Sequence, residues 1–262
     1  MQPGTLARFY NGFYIDTPVG NNAFSFGLRT SRRIYVPPLA EGTFADLRPG
    51  KETVFGEVAE DGKTLEATGL ERFVYWRRRG VLAGHPDGAQ HIFYFDNHNH
   101  AFFFWGAARQ AGVSKDGAVL VHVDQHKDTR DPGNSLAGWD TPDGWPQITA
   151  APDQSALGRV FYAANYVLNV GNFIPPALRL GWFDRVIQVG SGESFMLHPP
   201  ENFVLDIDLD IFAPVMDYIP EELKISRLRE WLGRAHCVTV ATSPFFMDQS
   251  RALDIIARLF RD

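Results

Sequence analysis

Two stretches decide how this chain is read: Val119-Leu120-Val121-His122-Val123-Asp124-Gln125-His126-Lys127-Asp128 and Phe203-Val204-Leu205-Asp206-Ile207-Asp208-Leu209-Asp210. Each is an apolar, strand-forming run that turns acidic at its C-terminal end. On an extended backbone alternate side chains share a face, so Asp124, His126 and Asp128 converge, and so do Asp206 and Asp208. If the two runs are neighbours in one sheet, their carboxylates and an imidazole meet at one rim. Away from bulk water such a cluster is costly to keep ionised unless something compensates it. Oxygen-rich ligands with a little imidazole suit a pair of divalent cations of the Mn(II) type, and the expected chemistry is that of a metallohydrolase.

Around these runs, strands and helices alternate from residue 91 onward. Strands are expected at His91–Phe95, Ala118–Val123, Arg185–Val189, Phe203–Asp208 and Cys237–Ala241. Helices are expected over Ala101–Ala111, from an Asp153 cap through Leu157, Val160, Phe161, Ala164 and Leu168, from Pro220 through Leu232, and over Gln249–Arg261. Asn169-Val170-Gly171-Asn172-Phe173-Ile174-Pro175-Pro176 reads as a break, and Thr129–Ala151 as a long connection suited to a lid or binding loop. Alternation of this kind predicts an α/β fold, with a mainly parallel sheet covered on both faces and ligands at the carboxyl ends of its strands. Residues 1–90 are Gly-, Pro- and aromatic-rich. They read as a β-rich N-terminal extension packed on the main domain, 91–262, with a hairpin turn at Glu60-Asp61-Gly62-Lys63.

Composition narrows the function. The chain has 262 residues, 45% of them hydrophobic, enough for a sizeable core, and a formal charge of −6, which speaks against a nucleic-acid scaffold. Cys237 is the single cysteine, so no intramolecular disulfide or Cys-rich zinc site can form, and a reducing, cytoplasmic setting is expected. No signal peptide is read at Met1-Gln2-Pro3-Gly4. The longest mostly apolar stretch, from Phe161 to Ile174, is too short to span a bilayer, so no membrane partner is expected. Of the histidines near the first strand end, His98 lies nearer the rim than His100 and is the preferred ligand. His122, inside an apolar strand, reads as a hydrogen-bonded residue of the core or as one that supports a metal ligand from behind. Asp210 shares the alternation and is open between a place near the metals and a turn cap.

The two acidic motifs resemble the signatures of the arginase/ureohydrolase superfamily, whose fold is shared with histone-type deacetylases. Asn97-His98-Asn99-His100, Asn172-Phe173-Ile174 and Thr242-Ser243-Pro244-Phe245-Phe246 add similarity to an arginase-like branch that includes peptide arginases of ribosomal-peptide biosynthesis. The resemblance covers roughly 91–262 and implies a three-layer α/β/α domain holding two Mn(II) ions. His98, Asp124, Asp128 and Asp206 would hold one ion, and Asp124, His126, Asp206 and Asp208 the other. It further implies hydrolysis of an arginine side chain in a peptide, such as a ribosomal precursor peptide, to ornithine and urea, with Asp128 and His126 among the catalytic groups. The Glu-x-Asn-Pro run that grips the guanidinium in ordinary arginases is replaced here by Ala241-Thr242-Ser243-Pro244. Glu193 and Asp248 are then the candidates for that grip, Asp248 being the better N-cap of the last helix. A deacetylase-type amidohydrolase, a ureohydrolase of small guanidino compounds, and a non-catalytic module with a structural metal remain as alternatives. Oligomeric state is left open.

Overall fold

The computed structural model of the chain describes residues 3–80, 82, 88–115, 117–133, 139 and 144–261. Its strands among these residues are β1 (Phe13–Ile15), β2 (Ile34–Val36), β3 (Leu39–Glu41), β4 (Pro49–Val58), β5 (Thr64–Leu70), β6 (Phe73–Arg79), β7 (Ala89–Phe95), β8 (Val119–Val123), β9 (Arg185–Val189), β10 (Phe203–Asp208) and β11 (Cys237–Ala241). Seven form one sheet in the order β3-β6-β7-β11-β10-β8-β9. Strands β7, β11, β10, β8 and β9 are parallel; β6 runs antiparallel to β7, and β3 runs parallel to β6. The result is a mixed, mostly parallel α/β sheet. Two of its strands, β3 and β6, come from residues before 91, so the compositional change near residue 90 falls inside the sheet. No helix among the described residues is long and apolar enough to cross a membrane.

Strand alternation divides the core in two. On one face Val119, Val121, Val123, Leu205, Ile207, Val238 and Val240 pack with Ile225, Leu228 and Trp231 of helix Glu221–Leu232 and Ile255, Ile256 and Leu259 of helix Gln249–Phe260. On the other, Leu120, Val204, Phe93 and Phe95 meet Phe102 to Trp105 of helix Ala101–Gln110, with Leu157, Val160 and Ile174 beyond. Continuous burial on both faces explains the nearly unbroken apolar runs of these strands.

The sheet also contains a reversal. From β8 the chain continues to β9 on one side, whereas from β10 it continues to β11 on the other, although β8 and β10 are direct neighbours. Connections that depart in opposite directions leave a crevice at the carboxyl ends of the two strands, the usual ligand position in open α/β sheets.

Several local expectations change. The second expected helix begins at Ala156 with Ser155 as its cap: Ser155 Oγ accepts from the Gly158 N–H at 3.1 Å, while Asp153 Oδ1 takes the Ser155 N–H at 2.8 Å. After Tyr162 the helix widens into a π-turn, Ala163–Val167. Pro175 and Pro176 open a short helix, Ile174–Arg179, where a break is expected, because proline's missing N–H costs nothing in a first turn. The β4–β5 hairpin turns at the expected place, with Gly62 at φ +81°. Of the long connection 129–151, residues 134–138 and 140–143 lie outside the described residues.

Asp248 caps the last helix, its Oδ1 accepting from the Arg251 N–H at 3.0 Å. Asp248→Ala should therefore lower unfolding free energy by about 1 kcal/mol in chemical denaturation and leave metal content unchanged. Loss of metal in this variant would show that the residue does more than cap.

Candidate metal centre

The centre forms where β8 and β10 end, on the face that carries Leu120 and Val204. Pairing register sets Asp206 beside His122 on one neighbour and Thr239 on the other, a row of polar groups across an otherwise apolar sheet. Thr239 Oγ1 donates to Asp206 Oδ1 at 2.6 Å and itself accepts from Trp105 Nε1 at 3.1 Å. His122 Nδ1 lies 2.7 Å from Asp206 Oδ2, and its Nε2 lies 3.2 Å from Asp124 Oδ2. One carboxylate oxygen of Asp206 is thus fixed from the β11 side and the other faces imidazole.

His98 stands in the middle. It belongs to the single 3-10 turn that follows β7, and Phe173 packs on its ring at 4.9 Å. Its Nδ1 is 3.1 Å from Asp124, 3.2 Å from Asp128 and 3.1 Å from Asp208, and its Nε2 is 2.9 Å from Asp206. His100 points elsewhere, to the Tyr10 hydroxyl at 3.1 Å; burial drives its pKa down to about 3, which keeps it neutral.

His126 is the half-exposed member. Its Nδ1 is 2.7 Å from Asp210 Oδ2 and 3.4 Å from Asp124 Oδ1, so its acidic neighbour from the second motif is Asp210. Asp210 Oδ1 accepts from the Gln125 N–H, but its buried Oδ2 has no hydrogen-bond partner, the contact with His126 being out of alignment. Asp208 is held by the Ser243 hydroxyl at 2.6 Å and accepts from the Asp210 N–H at 2.9 Å. Asp128 (φ +49°) and Ser243 (φ +43°) both adopt left-handed backbone, costly for such residues and concentrated at the site.

Sequence reasoning thus places His98, Asp124, Asp128, Asp206 and Asp208 among the groups that meet, with His126 at their edge. A cavity of about 580 Å³ opens onto the cluster through His126, Asp128, Asp208 and Ser243. Glu193 is apart from both: it is exposed, precedes the turn Ser194–Met196, and does not line the cavity. His122 supports Asp124 and Asp206 from within the sheet, one of the two places the sequence leaves open for it. Thr239 and Ser243 are members that the sequence reading misses; for Thr239 the available signal is a polar residue at an inward position of an apolar strand.

The electrostatics show what the cluster lacks. Burial opposes charge on His98, yet Asp206, Asp208, Asp124 and Asp128 outweigh it and hold its pKa well above the ordinary imidazole value. His122 is likewise raised to about 10, Asp124 and Asp206 overcoming burial. His126 is raised to about 10 by Asp124 and Asp210. Burial pushes Asp128 up to about 6 and Asp210 well above the usual carboxylate range. Without other cations, protons on imidazoles supply the compensation. Three His/Asp groups have donor atoms close enough to share a cation: His98, His122 and Asp206; His98, Asp124 and Asp128; Asp124, His126 and Asp210. The oxygen-rich donor set, in which the buried Asp210 Oδ2 has an ion contact with His126 but no hydrogen bond, fits a hard or borderline divalent ion.

On the cavity, Phe24, Phe55, Phe245 and Phe246 form an aromatic wall, with successive ring centroids 5.3, 4.9 and 5.1 Å apart, and Phe246 reaches the His126 ring at 4.7 Å. Compared with protein-family models, curated proteins and solved structures, the chain matches none at a significant level.

Metal binding should release protons. His126 with a pKa near 10 is protonated at pH 7 but must be neutral to ligate, so apparent affinity should rise as pH increases from 6 to 9. Calorimetric titration with Mn(II) in two buffers of different ionisation enthalpy counts the protons. Affinity that stays flat across this range would contradict a protonated His126 in the metal-free site.

Proposed function

We propose that the chain is a Mn(II)-dependent, arginase-like amidinohydrolase that converts arginine side chains within a peptide to ornithine, releasing urea. The observation that carries the reading is the meeting of four carboxylates around His98 at the sheet's switch point, open to one aromatic-walled cavity. His98, Asp124, Asp128 and Asp206 would hold one ion, and Asp124, His126, Asp206 and Asp208 the second, with Asp210 near enough to His126 to join or orient it. Bound there, two divalent ions supply Lewis acidity and make water nucleophilic at neutral pH.

The chain's own residues account for the remainder. Asp128, at the mouth of the cluster on the cavity wall, would take a proton from water and return it to the departing amine. Water adds to the guanidinium carbon, the bond to the side-chain nitrogen breaks, and urea leaves. Thr239 and Ser243 hold Asp206 and Asp208 in place through their hydroxyls. The aromatic wall offers ring faces to a planar cation. Among the described residues lining the cavity, Glu57 of β4 is the one carboxylate outside the cluster, and it replaces Glu193 as the candidate for gripping the guanidinium. The fold of an arginase-type three-layer domain is part of the same proposal.

The test offers the Mn(II)-loaded protein free arginine, agmatine, an arginine-containing peptide and an acetyl-lysine peptide. Urea from the arginine peptide is the expected product. Acetate from the acetyl-lysine peptide, or no product from a fully metal-loaded protein, would contradict the proposal.

A further inference from the structure

The stretch Asn169-Val170-Gly171-Asn172, which interrupts the helical pattern of the sequence, forms a rigid seat on the cavity wall. Asn172 Oδ1 accepts from the Asn169 N–H at 2.8 Å, Asn169 Oδ1 from the Gly171 N–H at 3.0 Å, and Asn21 Oδ1 from the Val170 N–H at 3.0 Å. The Arg130 N–H donates to the Gly171 carbonyl at 2.9 Å, which fastens the segment after Asp128 to this seat. The Arg130 guanidinium lies directly over Gly171: a Cβ at residue 171 would come within 2.2 Å of Nη2 and 2.6 Å of Cζ. Gly171 has no positive φ, so its lack of a side chain serves the close approach of Arg130 rather than a backbone requirement.

Beside His126, Arg130 and Lys127 are the basic side chains lining the cavity among the described residues, and both are exposed. Among the described residues neither side chain has a hydrogen bond or ion pair, and neither pairs with Glu57 on the same cavity. A planar guanidinium laid on a braced loop, with its donors unspent, is prepared for a planar two-oxygen anion. Because it follows Asp128 by two residues, it stands beside the cluster on the cavity that the substrate would enter.

We infer that Arg130, seated on Gly171 and assisted by Lys127, is the specificity-determining residue that reads a carboxylate on the substrate. This rests on the proposed function, in which the cavity is the substrate site. Two sources of carboxylate fit: an acidic side chain beside the arginine in a peptide, or the α-carboxylate of a free amino acid.

The experiment uses the Mn(II)-loaded full chain and measures calorimetric binding and urea release in parallel. The ligands are a short peptide with glutamate beside its arginine, the same peptide with glutamine there, free arginine, and agmatine, which lacks the carboxylate. The acid-bearing member of one pair should bind about fivefold tighter at low salt, the size of a well-placed exposed ion pair. Preference within the peptide pair identifies a side chain as the source, and preference between arginine and agmatine identifies the α-carboxylate. R130Q should abolish the ratio at full metal content, R130K should restore part of it, and G171A should reduce it by pushing the guanidinium off its seat. No carboxylate preference in either pair, or a preference that survives R130Q, overturns the inference. Since the ratio is read from binding, it stands or falls separately from urea release, whose absence would count against the proposed activity alone.

Discussion

The constraint on which this structure depends is electrostatic: carboxylates that a parallel sheet forces together must be compensated by positive charge. Asp124, Asp128, Asp206 and Asp208 surround one imidazole, and Asp206 is fully buried. An uncompensated group of this kind would be among the costliest arrangements a core can contain. The raised pKa values of His98, His122 and His126 express the same demand, since each imidazole is drawn toward its charged form by the acids around it. A site that binds protons so strongly has the donor set to bind divalent cations, for which the competing protons must leave.

The sheet produces this constraint by its topology. Adjacent β8 and β10 send their connections in opposite directions, so no crossover covers the crevice between their ends. Lateral register then does the finer placement, pairing Asp206 with both His122 and Thr239. The residues before 91 complete the surroundings. They add β3 and β6 to the sheet, and through Phe24, Phe55 and Glu57 they supply one side of the cavity. Asn97, next to His98, donates to the Val54 carbonyl at 3.1 Å, so the β4–β5 hairpin and the turn that carries His98 are held together.

Legibility in the sequence follows the range of the interaction. The alternation of apolar and acidic residues within a strand is local, so the inward grouping of Asp124 with Asp206 and Asp208 can be read from two short runs. His98 is readable because it lies just past a strand end. Features that depend on which strands become neighbours are not readable. The sequence does not show that His126 meets Asp210, that Thr239 supports Asp206, or that Glu57 and Arg130 line the same cavity while Glu193 remains outside it. The role of β3 and β6 in the main sheet is hidden for the same reason, because strand pairing is non-local and composition does not reveal it. Cap positions fail more narrowly: Ser155 and Asp153 are both good caps, and only the fold chooses between them.

The most direct test of the account is the number of divalent ions the cluster takes up. Equilibrium dialysis of the purified chain against Mn(II), followed by elemental analysis, should give two ions per wild-type chain and a loss of bound metal in Asp124→Ala and Asp206→Ala. Wild-type protein that takes up no metal, or an Asp206→Ala protein that still holds two ions, would contradict the claim that these acids are gathered around cations.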